Sequence, residues 1–518
     1  MLSYPRSACV TDVLYDMIVS MKPITFVAPF FSEPRFEEML RCFSDSETVE
    51  EIIIVSGEKP DIDTPRCRFV ASGPITRRDT LCTILDSVKT DYLLLLTLPR
   101  TVVVESSGLD MIIEKAKETK AGITYCDFYD ETDDGAVAHP LNDYQLGSVR
   151  DDFDFGALML FSMEAVKTGI REYGNIPDVL YAGIYDIRLK ISLEHAVYHL
   201  REYLYTLSQL KSDPGREKIF AYVDPKQAGI QNEMEIVFTD HLKRIGAFLA
   251  PGSQHKAAGE ENKSNFPVEA SVVIPVRNRK STVADAVRSA LSQETDFSFN
   301  VIVVDNNSTD GTTELLSDLA KSHSGLKHLI PSRTDLGIGG CWNKALTSRH
   351  CGRYSVQLDS DDLYAGTSVL RRIVDMFRQG NYAMVIGSYT IVNFSLEVIA
   401  PGLIDHREWS DENGRNNALR INGLGAPRAF RTDIMRGIQF LNVSYGEDYA
   451  AALRMCREYG IGRIYENLYL CRRWPGNTDA ALSPEAQNIN DAFKDKIRTD
   501  EILARQKLNK KKEKIINA

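Results

Sequence analysis

The chain has 518 residues, 43% of them hydrophobic and 26% charged, and a net charge of −11 from 61 basic and 72 acidic side chains. That length exceeds what one core organises and points to two domains of an ordinary globular protein. The acidic balance argues against general nucleic-acid binding, which needs a basic face.

Nine scattered cysteines form no CxxC pair, which speaks against a zinc site or a disulfide framework. The residues before Met21 include Asp12 and Asp16 and no long apolar core, so they do not read as a signal peptide. No uncharged apolar run approaches the ~20 residues that span a bilayer. A cytoplasmic protein is expected, with the basic residues 509–514 (NKKKEK) read as a solvated end and peripheral contact with anionic lipid as the alternative.

In chain order, residues 24–29 (ITFVAP), 51–57 (EIIIVSG) and 91–96 (DYLLLL) are short apolar runs of the kind that form buried parallel strands. Residues 121–125 (AGITY), 155–161 (FGALMLF) and 200–207 (LREYLYTL) follow. A connector spans 212–267, with helical spacing over 227–249 and a flexible composition over 251–264. The same plan then begins again. Residues 270–276 (ASVVIPV) read as a strand, and 281–291 as a helix with Val283, Ala286, Val287 and Ala290 on one face. The strand 300–304 (NVIVV) ends in the polar turn 305–311 (DNNSTDG), a helix follows over 313–321, and 354–358 ends at Asp359-Ser360-Asp361-Asp362. Residues 384–389 (MVIGSY), 424–430 (LGAPRAF) and 464–471 (IYENLYLC) match the last three segments of the first half, in order.

This alternation predicts an α/β protein of two tandem domains with mainly parallel central sheets and connecting helices. Their expected bounds are 1–211 and 268–482, with a connector at 212–267 and a C-terminal helix and basic tail at 483–518. The copies differ in chemistry. Thr97-Leu98-Pro99-Arg100 stands opposite the acidic turn 359–362, so a metal and nucleotide site is expected only in the second copy.

Four elements of that copy suit ligand chemistry. Asp359-Ser360-Asp361, at the carboxyl end of a parallel strand, offers hard oxygen ligands for Mg²⁺ or Mn²⁺ beside a diphosphate; a capped turn is the plain structural alternative. Pro275-Val276-Arg277-Asn278 and the turn from Asp305 through Asn307 and Ser308 to Gly311 end neighbouring strands. There Asp305 can accept from a base N–H, Arg277 can meet phosphate, and Ser308 or Asp310 can cap the next helix. The glycine-rich entry to a helix at 337–343 brings Gly340 and Asn343 toward a ligand edge, unless Asn343 is structural. Glu447-Asp448 opens a further helix, where a carboxylate can take a proton from an attacking hydroxyl or simply favour the helix start. Residues 401–440, with Trp409, are expected to help form an acceptor site.

These elements, in this order over residues 268–477, resemble the family 2 glycosyltransferases of the GT-A fold. The resemblance implies that Pro275, Arg277, Asn278, Asp305, Asn307 and Ser308 hold the nucleotide. It implies that Asp361 is the metal ligand, with Asp359 beside it near ribose or metal, and that Asp448 is the base of an inverting, in-line displacement. The family's R-x-H-P-G-S motif appears as Arg472-Arg473-Trp474-Pro475-Gly476-Asn477, with Trp474 where histidine is usual. Arg472 or Arg473 would then reach the diphosphate, and Trp474 would stack on a sugar or pack in a hinge. The first half looks like a degenerate relative, with Asp186 near the position of Asp448.

The implied reaction moves a sugar from a UDP-, GDP- or dTDP-linked donor to a hydroxyl of a glycan, a glycolipid precursor or a small metabolite. Spare helices are compatible with a homodimer. Two other classes compete. A sugar nucleotidyltransferase would carry a basic, glycine-rich signature near the first strand, where 275–280 (PVRNRK) has no glycine. A non-catalytic nucleotide-sugar or glycan scaffold would have no need of Asp359, Asp361 and Asp448 together.

Overall fold

A computed structural model describes residues 22–105, 107–209, 228–252, 266–407, 409–477 and 482–516. Two compact units emerge, Met1–Asp143 with Asp154–Asp213, and Tyr144–Phe153 with Pro214–Ala518. These bounds differ from the expected ones: the connector and the C-terminal helix belong to the second unit, as does a short segment from the middle of the first half. The reason is shared burial. Helix Pro484–Ile516 buries Asp495, Arg498, Glu501 and Arg505, and Ser148 Oγ lies 2.8 Å from Asp495 Oδ2. The flexible composition at 251–264 falls almost wholly outside the described residues, as do the residues before 22.

The first unit holds β1 (Ile24–Pro29), β2 (Val49–Ser56), β3 (Cys67–Ala71), β4 (Tyr92–Leu96), β5 (Val102–Val104), β6 (Ile123–Thr132), β7 (Gly135–His139), β8 (Leu158–Ser162) and β9 (Val197–Leu207). The second holds β10 (Ala270–Val276), β11 (Phe299–Asp305), β12 (Leu326–Leu329), β13 (Tyr354–Gln357), β14 (Leu363–Tyr364), β15 (Tyr382–Asn393), β16 (Val398–Ile404), β17 (Arg428–Arg431) and β18 (Gly460–Arg473). Within the first sheet the order is β3-β2-β1-β4-β8-β6-β9-β5, with β7 on β6. In the second it is β12-β11-β10-β13-β17-β15-β18-β14, with β16 on β15. Counting nine strands on, the two orders coincide, and so do the directions: β6–β9 and β15–β18 are both parallel, while β4–β8 and β13–β17 are both antiparallel.

All six pairs of sequence segments lie on corresponding strands. A shared backbone device precedes β8 and β17. Gly156 (φ 71°) and Gly425 (φ 68°) both adopt the left-handed region, where a side chain is strained, and a Cβ would lie 2.3 Å from Tyr205 Oη or 2.2 Å from Ile386 Cγ2.

The β10–β11 register sets Val276 opposite Asp305, and β10–β13 sets Val273 opposite Gln357, so three strands end at one edge. Their runs stay in place because both sheet faces are covered. Helix Val283–Leu291 buries Val283, Ala286, Val287 and Ala290, the four positions its spacing predicts. Helix Val369–Gln379 buries Val369, Leu370, Ile373, Val374 and Phe377, each of the larger side chains contributing about 1.5–3 kcal/mol relative to exposure. Among the described residues no helix is long and apolar enough to cross a membrane.

Candidate active site

The turns after β10 and β11 are tied to each other. Asn278 (φ 53°) and Asn307 (φ 56°) take left-handed conformations, which asparagine tolerates better than most residues. Asn278 N–H donates to Ser308 Oγ at 2.9 Å, Thr309 N–H donates to Asn278 Oδ1 at 2.8 Å, and Lys280 N–H donates to Asp310 Oδ2 at 3.1 Å. Val276 O accepts from Asn306 N–H at 2.8 Å. The helix cap is Gly311 (φ 93°) rather than Ser308 or Asp310, because those two side chains serve the β10 turn, although Asp310 Oδ1 still accepts from Thr312 N–H. Arg277 is exposed and Pro275 half-buried.

Asp305 is fully buried and accepts from Ser308 N–H (3.0 Å), Thr313 Oγ1 (2.5 Å) and His328 Nε2 (3.4 Å). Burial, the largest influence, would raise its carboxyl, but the hydrogen bonds from His328, Ser308 and Thr313 prevail and hold it at about 2. An anionic acceptor is thereby fixed at the end of β11. Beside it the buried Asn306 Oδ1 has no hydrogen-bond partner among the described residues, a feature the sequence reading missed.

Gly340 and Asn343 both serve the packing of residues 440–442. A Cβ on Gly340 would lie 2.1 Å from Asn442 Oδ1, and one on Gly339 1.9 Å from Leu441 O, so Gly340 admits the Asn442 side chain and Gly339 the Leu441 backbone. Asn343 pins the same segment, donating to Phe440 O at 2.8 Å and accepting from Phe440 N–H at 2.9 Å. The glycine-rich helix entry therefore aims the segment that leads into Glu447. Trp409 is likewise buried, with Gly414 packed on its indole, so it is core rather than acceptor surface.

Beyond β13 the acidic turn is built in layers. Asp359 accepts from Gln357 Nε2 at 3.1 and 3.0 Å, and its N–H donates to Tyr469 Oη at 3.0 Å. Asp362 turns inward to Arg472 N–H at 2.7 Å, and Ser360 is buried. Burial raises both carboxyls, Asp362 most, with Asp359 and Asp361 adding repulsion there. Asp361 Oδ2 accepts from Trp474 Nε1 and Asn477 Nδ2, both at 3.2 Å, with Arg279 Nε 3.9 Å away. Arg279, not Arg277, is thus the arginine of the β10 turn that lies beside Asp361.

Arg472 is turned inward, against the acidic turn. Buried, it donates from Nε to Asp361 O, approaches Asp285 Oδ2 at 3.5 Å and covers the Phe394 ring at 5.2 Å. Trp474 also lies against Phe394 (ring centroids 5.6 Å), and Arg473 is half-buried.

Glu447 and Asp448 begin the helix Glu447–Glu458 after the left-handed Gly446. Asp448 Oδ2 meets Arg428 Nη1 at 2.8 Å. Arg428, on β17, also donates to Gly425 O at 2.9 Å and to Leu424 O at 3.3 Å. Burial, the largest influence, would raise the Asp448 carboxyl, but Arg428 and then Lys494 outweigh it and keep it below the usual range. Glu447 goes the other way, pushed up by burial and then by the Asp448 charge, and its buried Oε2 has no partner among the described residues. The pair is therefore split into one anion and one proton holder. Arg428 carries the electrostatic pull of Asp448, Asp359 and Glu447, so one guanidinium links the acidic turn to the helix start. Neither Arg428 nor Lys494 was singled out from sequence.

Three turns that carry polar and acidic side chains thus end neighbouring strands at the carboxyl edge of a mostly parallel sheet, the edge at which open α/β sheets commonly take ligands. Residues 271–440 match the sequence profile of glycosyl transferase family 2, and the second half of this chain carries a glycosyltransferase domain of that family. An uncharacterized glycosyltransferase of Rickettsia felis is 26% identical over 324 residues, 59% of this chain and 52% of that protein. The GalNAc(5)-diNAcBac-PP-undecaprenol beta-1,3-glucosyltransferase of Campylobacter jejuni is 30% identical over 194 residues, 36% of this chain and 60% of that protein. Thus the chain spans about half the length of the first of these relatives. Among solved structures, S. aureus TarS 1-349 in complex with UDP-GlcNAc shares 21% identity over 46% of this chain and 72% of its own, with a TM-score of 0.35.

Proposed function

We propose that the second unit transfers a sugar from a nucleotide-diphosphate donor to an acceptor hydroxyl, with inversion at the anomeric carbon. The observation that carries this reading is the Arg428–Asp448 pair at 2.8 Å, with Arg428 also under the electrostatic pull of Asp359 and Glu447. In the reading, the β10 and β11 turns hold the nucleotide through Asp305, Asn307, Ser308 and Asn278. Asp448, kept ionised by Arg428, takes the proton of the acceptor hydroxyl as its oxygen bonds to the anomeric carbon. The bond from that carbon to the diphosphate oxygen breaks in the same displacement, and the nucleoside diphosphate leaves with its electron pair. Glu447, holding its proton, leaves Asp448 as the base of the pair.

A divalent cation is part of the proposal. Among the described residues no three His, Cys, Asp or Glu side chains form a complete cage. Mg²⁺ and Mn²⁺ are commonly held by one or two carboxylates and completed by phosphate and water, so Asp361 with Asp359 fits such an ion. When bound, it offsets the charge that builds on the departing diphosphate. Trp474 cannot act as a ligand, because the indole nitrogen has only a donor to offer. Trp474→His, which supplies a lone pair beside Asp361, is expected to tighten Mn²⁺ binding about tenfold in calorimetry. Unchanged affinity would show that this turn lies outside the ion's reach.

The acceptor class is a carbohydrate hydroxyl, lipid-linked sugars included, in keeping with the lipid-linked glycan in the name of the Campylobacter relative. We read the first unit as a copy of the fold that does not catalyse. Thr97 and Pro99 stand where the acidic turn would be, and Asp186 is buried against Lys190 Nζ at 2.6 Å. The test is nucleotide release from UDP-, GDP- and dTDP-sugars with Mn²⁺, Mg²⁺ or EDTA, paired with calorimetric titration of the nucleotides. Metal-dependent binding or release with one nucleotide supports the reading. No nucleotide binding of any kind would overturn it in favour of a scaffold.

A further inference from the structure

We infer that Lys494 is a positioning residue for the Asp448 carboxylate and that the segment Tyr144–Phe153 holds in place the helix that carries it. The inference rests on the reading of Asp448 as base. Lys494 lies on helix Pro484–Ile516, well past residue 440, where the family match ends. Its ammonium sits 4.5 Å from the ring centroid of Tyr445 and 5.7 Å from that of Tyr449, the residues on either side of the Glu447-Asp448 pair. One N–H donates to Asn422 O at 2.7 Å. Two aromatic faces and a carbonyl stabilise a half-buried ammonium, but packing alone would be served as well by an apolar side chain. What the charge adds is an attraction for Asp448. The charged groups around Lys494 are Asp448, Arg498, Asp491 and Arg150, two of each sign.

The helix is held from two sides. Arg498, fully buried, donates to Leu419 O (2.8 Å), Ile421 O (3.2 Å), Asn422 Oδ1 (2.7 Å), Tyr449 Oη (3.1 Å) and Asp495 Oδ1 (2.8 Å). On another side lies the segment Tyr144–Phe153, which leaves the first unit between β7 and β8. Gly147 N–H donates to Thr499 Oγ1 at 2.8 Å, Ser148 Oγ to Asp495 Oδ2 at 2.8 Å, and Arg150 lies 3.4 Å from Asp491 and 3.5 Å from Asp495. Contact at Gly147 is so close that a Cβ would fall 1.9 Å from Asp495 O and 2.5 Å from Thr499 N. Glycine is required there by space, and the requirement is to meet the turn of helix next to Lys494. The middle of the first half thus supplies a piece of the catalytic unit, which gives that half a role other than catalysis.

The experiment compares full-length wild type with Lys494→Met, Lys494→Arg, Gly147→Ala and the double variant Lys494→Met/Gly147→Ala. Transfer is measured against pH, and donor affinity by calorimetry. Lys494→Met is expected to move the acidic limb of kcat up by about one pH unit, because an opposite charge that favoured the carboxylate is gone. Donor affinity stays as in wild type, and Lys494→Arg returns the limb to its place. Gly147→Ala shifts the limb in the same direction, and the double variant adds nothing to Lys494→Met, as expected of two changes acting through one contact.

A Lys494→Met profile that overlays wild type, or one lowered equally at every pH, overturns the assignment of Lys494. A fully additive double variant, or a Gly147→Ala profile with no shift, removes the part played by Tyr144–Phe153. Should Gly147→Ala fail to fold, the Met and Arg variants still decide the assignment of Lys494, and Ser148→Ala replaces it in the cycle. Asp448→Asn separates the inference from its premise: if that variant transfers normally, the base assignment falls. If it is inactive while Lys494→Met is unmoved, only the Lys494 inference falls.

Discussion

Asp448→Asn is expected to lower kcat about a thousandfold, the middle of the range for losing a general base, while donor affinity remains close to wild type. Asparagine keeps the size of the side chain and an oxygen that can accept from Arg428 Nη1, which lies 2.8 Å from the present carboxylate. It cannot take a proton. The loss therefore falls on the chemical step and not on folding or on the nucleotide turns. Glu447→Gln tests the split between the two carboxyls. Since Glu447 is held protonated by burial and by the neighbouring charge, its amide should retain most activity at neutral pH. The pH profile follows from the sign of the Asp448 shift. Arg428 and Lys494 keep that carboxyl below its usual range, so the base is present at neutral pH and is lost only as pH falls through the depressed value. If Glu447→Gln collapses and Asp448→Asn does not, the roles are exchanged.

Much of the fold was legible because buried parallel strands leave a simple trace. Runs such as 300–304 (NVIVV) and 91–96 (DYLLLL) can be little else, and their order repeats. Six strands escaped, β3, β5, β7, β12, β14 and β16, and three of them show why. β14 has two residues and β5 three, and β7 (GAVAH) is mostly exposed, so pairing rather than composition makes them strands. The site was legible in outline only, because sequence orders residues without giving side-chain directions. Arg428 lay hidden in LGAPRAF, which reads as a strand, and Lys494 on a helix that reads as an appendage. Arg472, Gly340 and Asn343 have packing duties that residue type does not announce. Each is a residue type that suits a ligand, but here Arg472 buttresses the acidic turn and the other two aim the 440–443 segment. Segment Tyr144–Phe153 could not have been assigned from sequence at all, since its partners lie some 350 positions further on, as in the 352-residue separation of Gly147 and Thr499.

Asp361→Ala should have the second large effect, a fall in kcat/KM of about a hundredfold or more with loss of the response to Mn²⁺ and EDTA. This side chain has two duties that the substitution removes together: it is the proposed metal ligand, and its Oδ2 receives Trp474 Nε1 and Asn477 Nδ2. Asp361→Asn divides them, since an amide oxygen can still accept from the indole while the charge is gone. A metal role predicts that both variants lose the Mn²⁺ response; a purely structural role predicts that asparagine keeps it. Stability gives an independent reading. Burial holds the Asp359 and Asp362 carboxyls above the usual range, with repulsion from Asp359 and Asp361 adding at Asp362, so the acidic turn by itself works against folding at neutral pH. Removing Asp361 relieves that repulsion, at the expense of two hydrogen bonds of about 1 kcal/mol each. Without metal the Ala variant should therefore melt close to wild type, and only wild type should gain Tm when Mn²⁺ is added. A variant that melts far lower would make Asp361 chiefly an anchor for the 472–477 turn, and equal gains from Mn²⁺ would place the ion elsewhere.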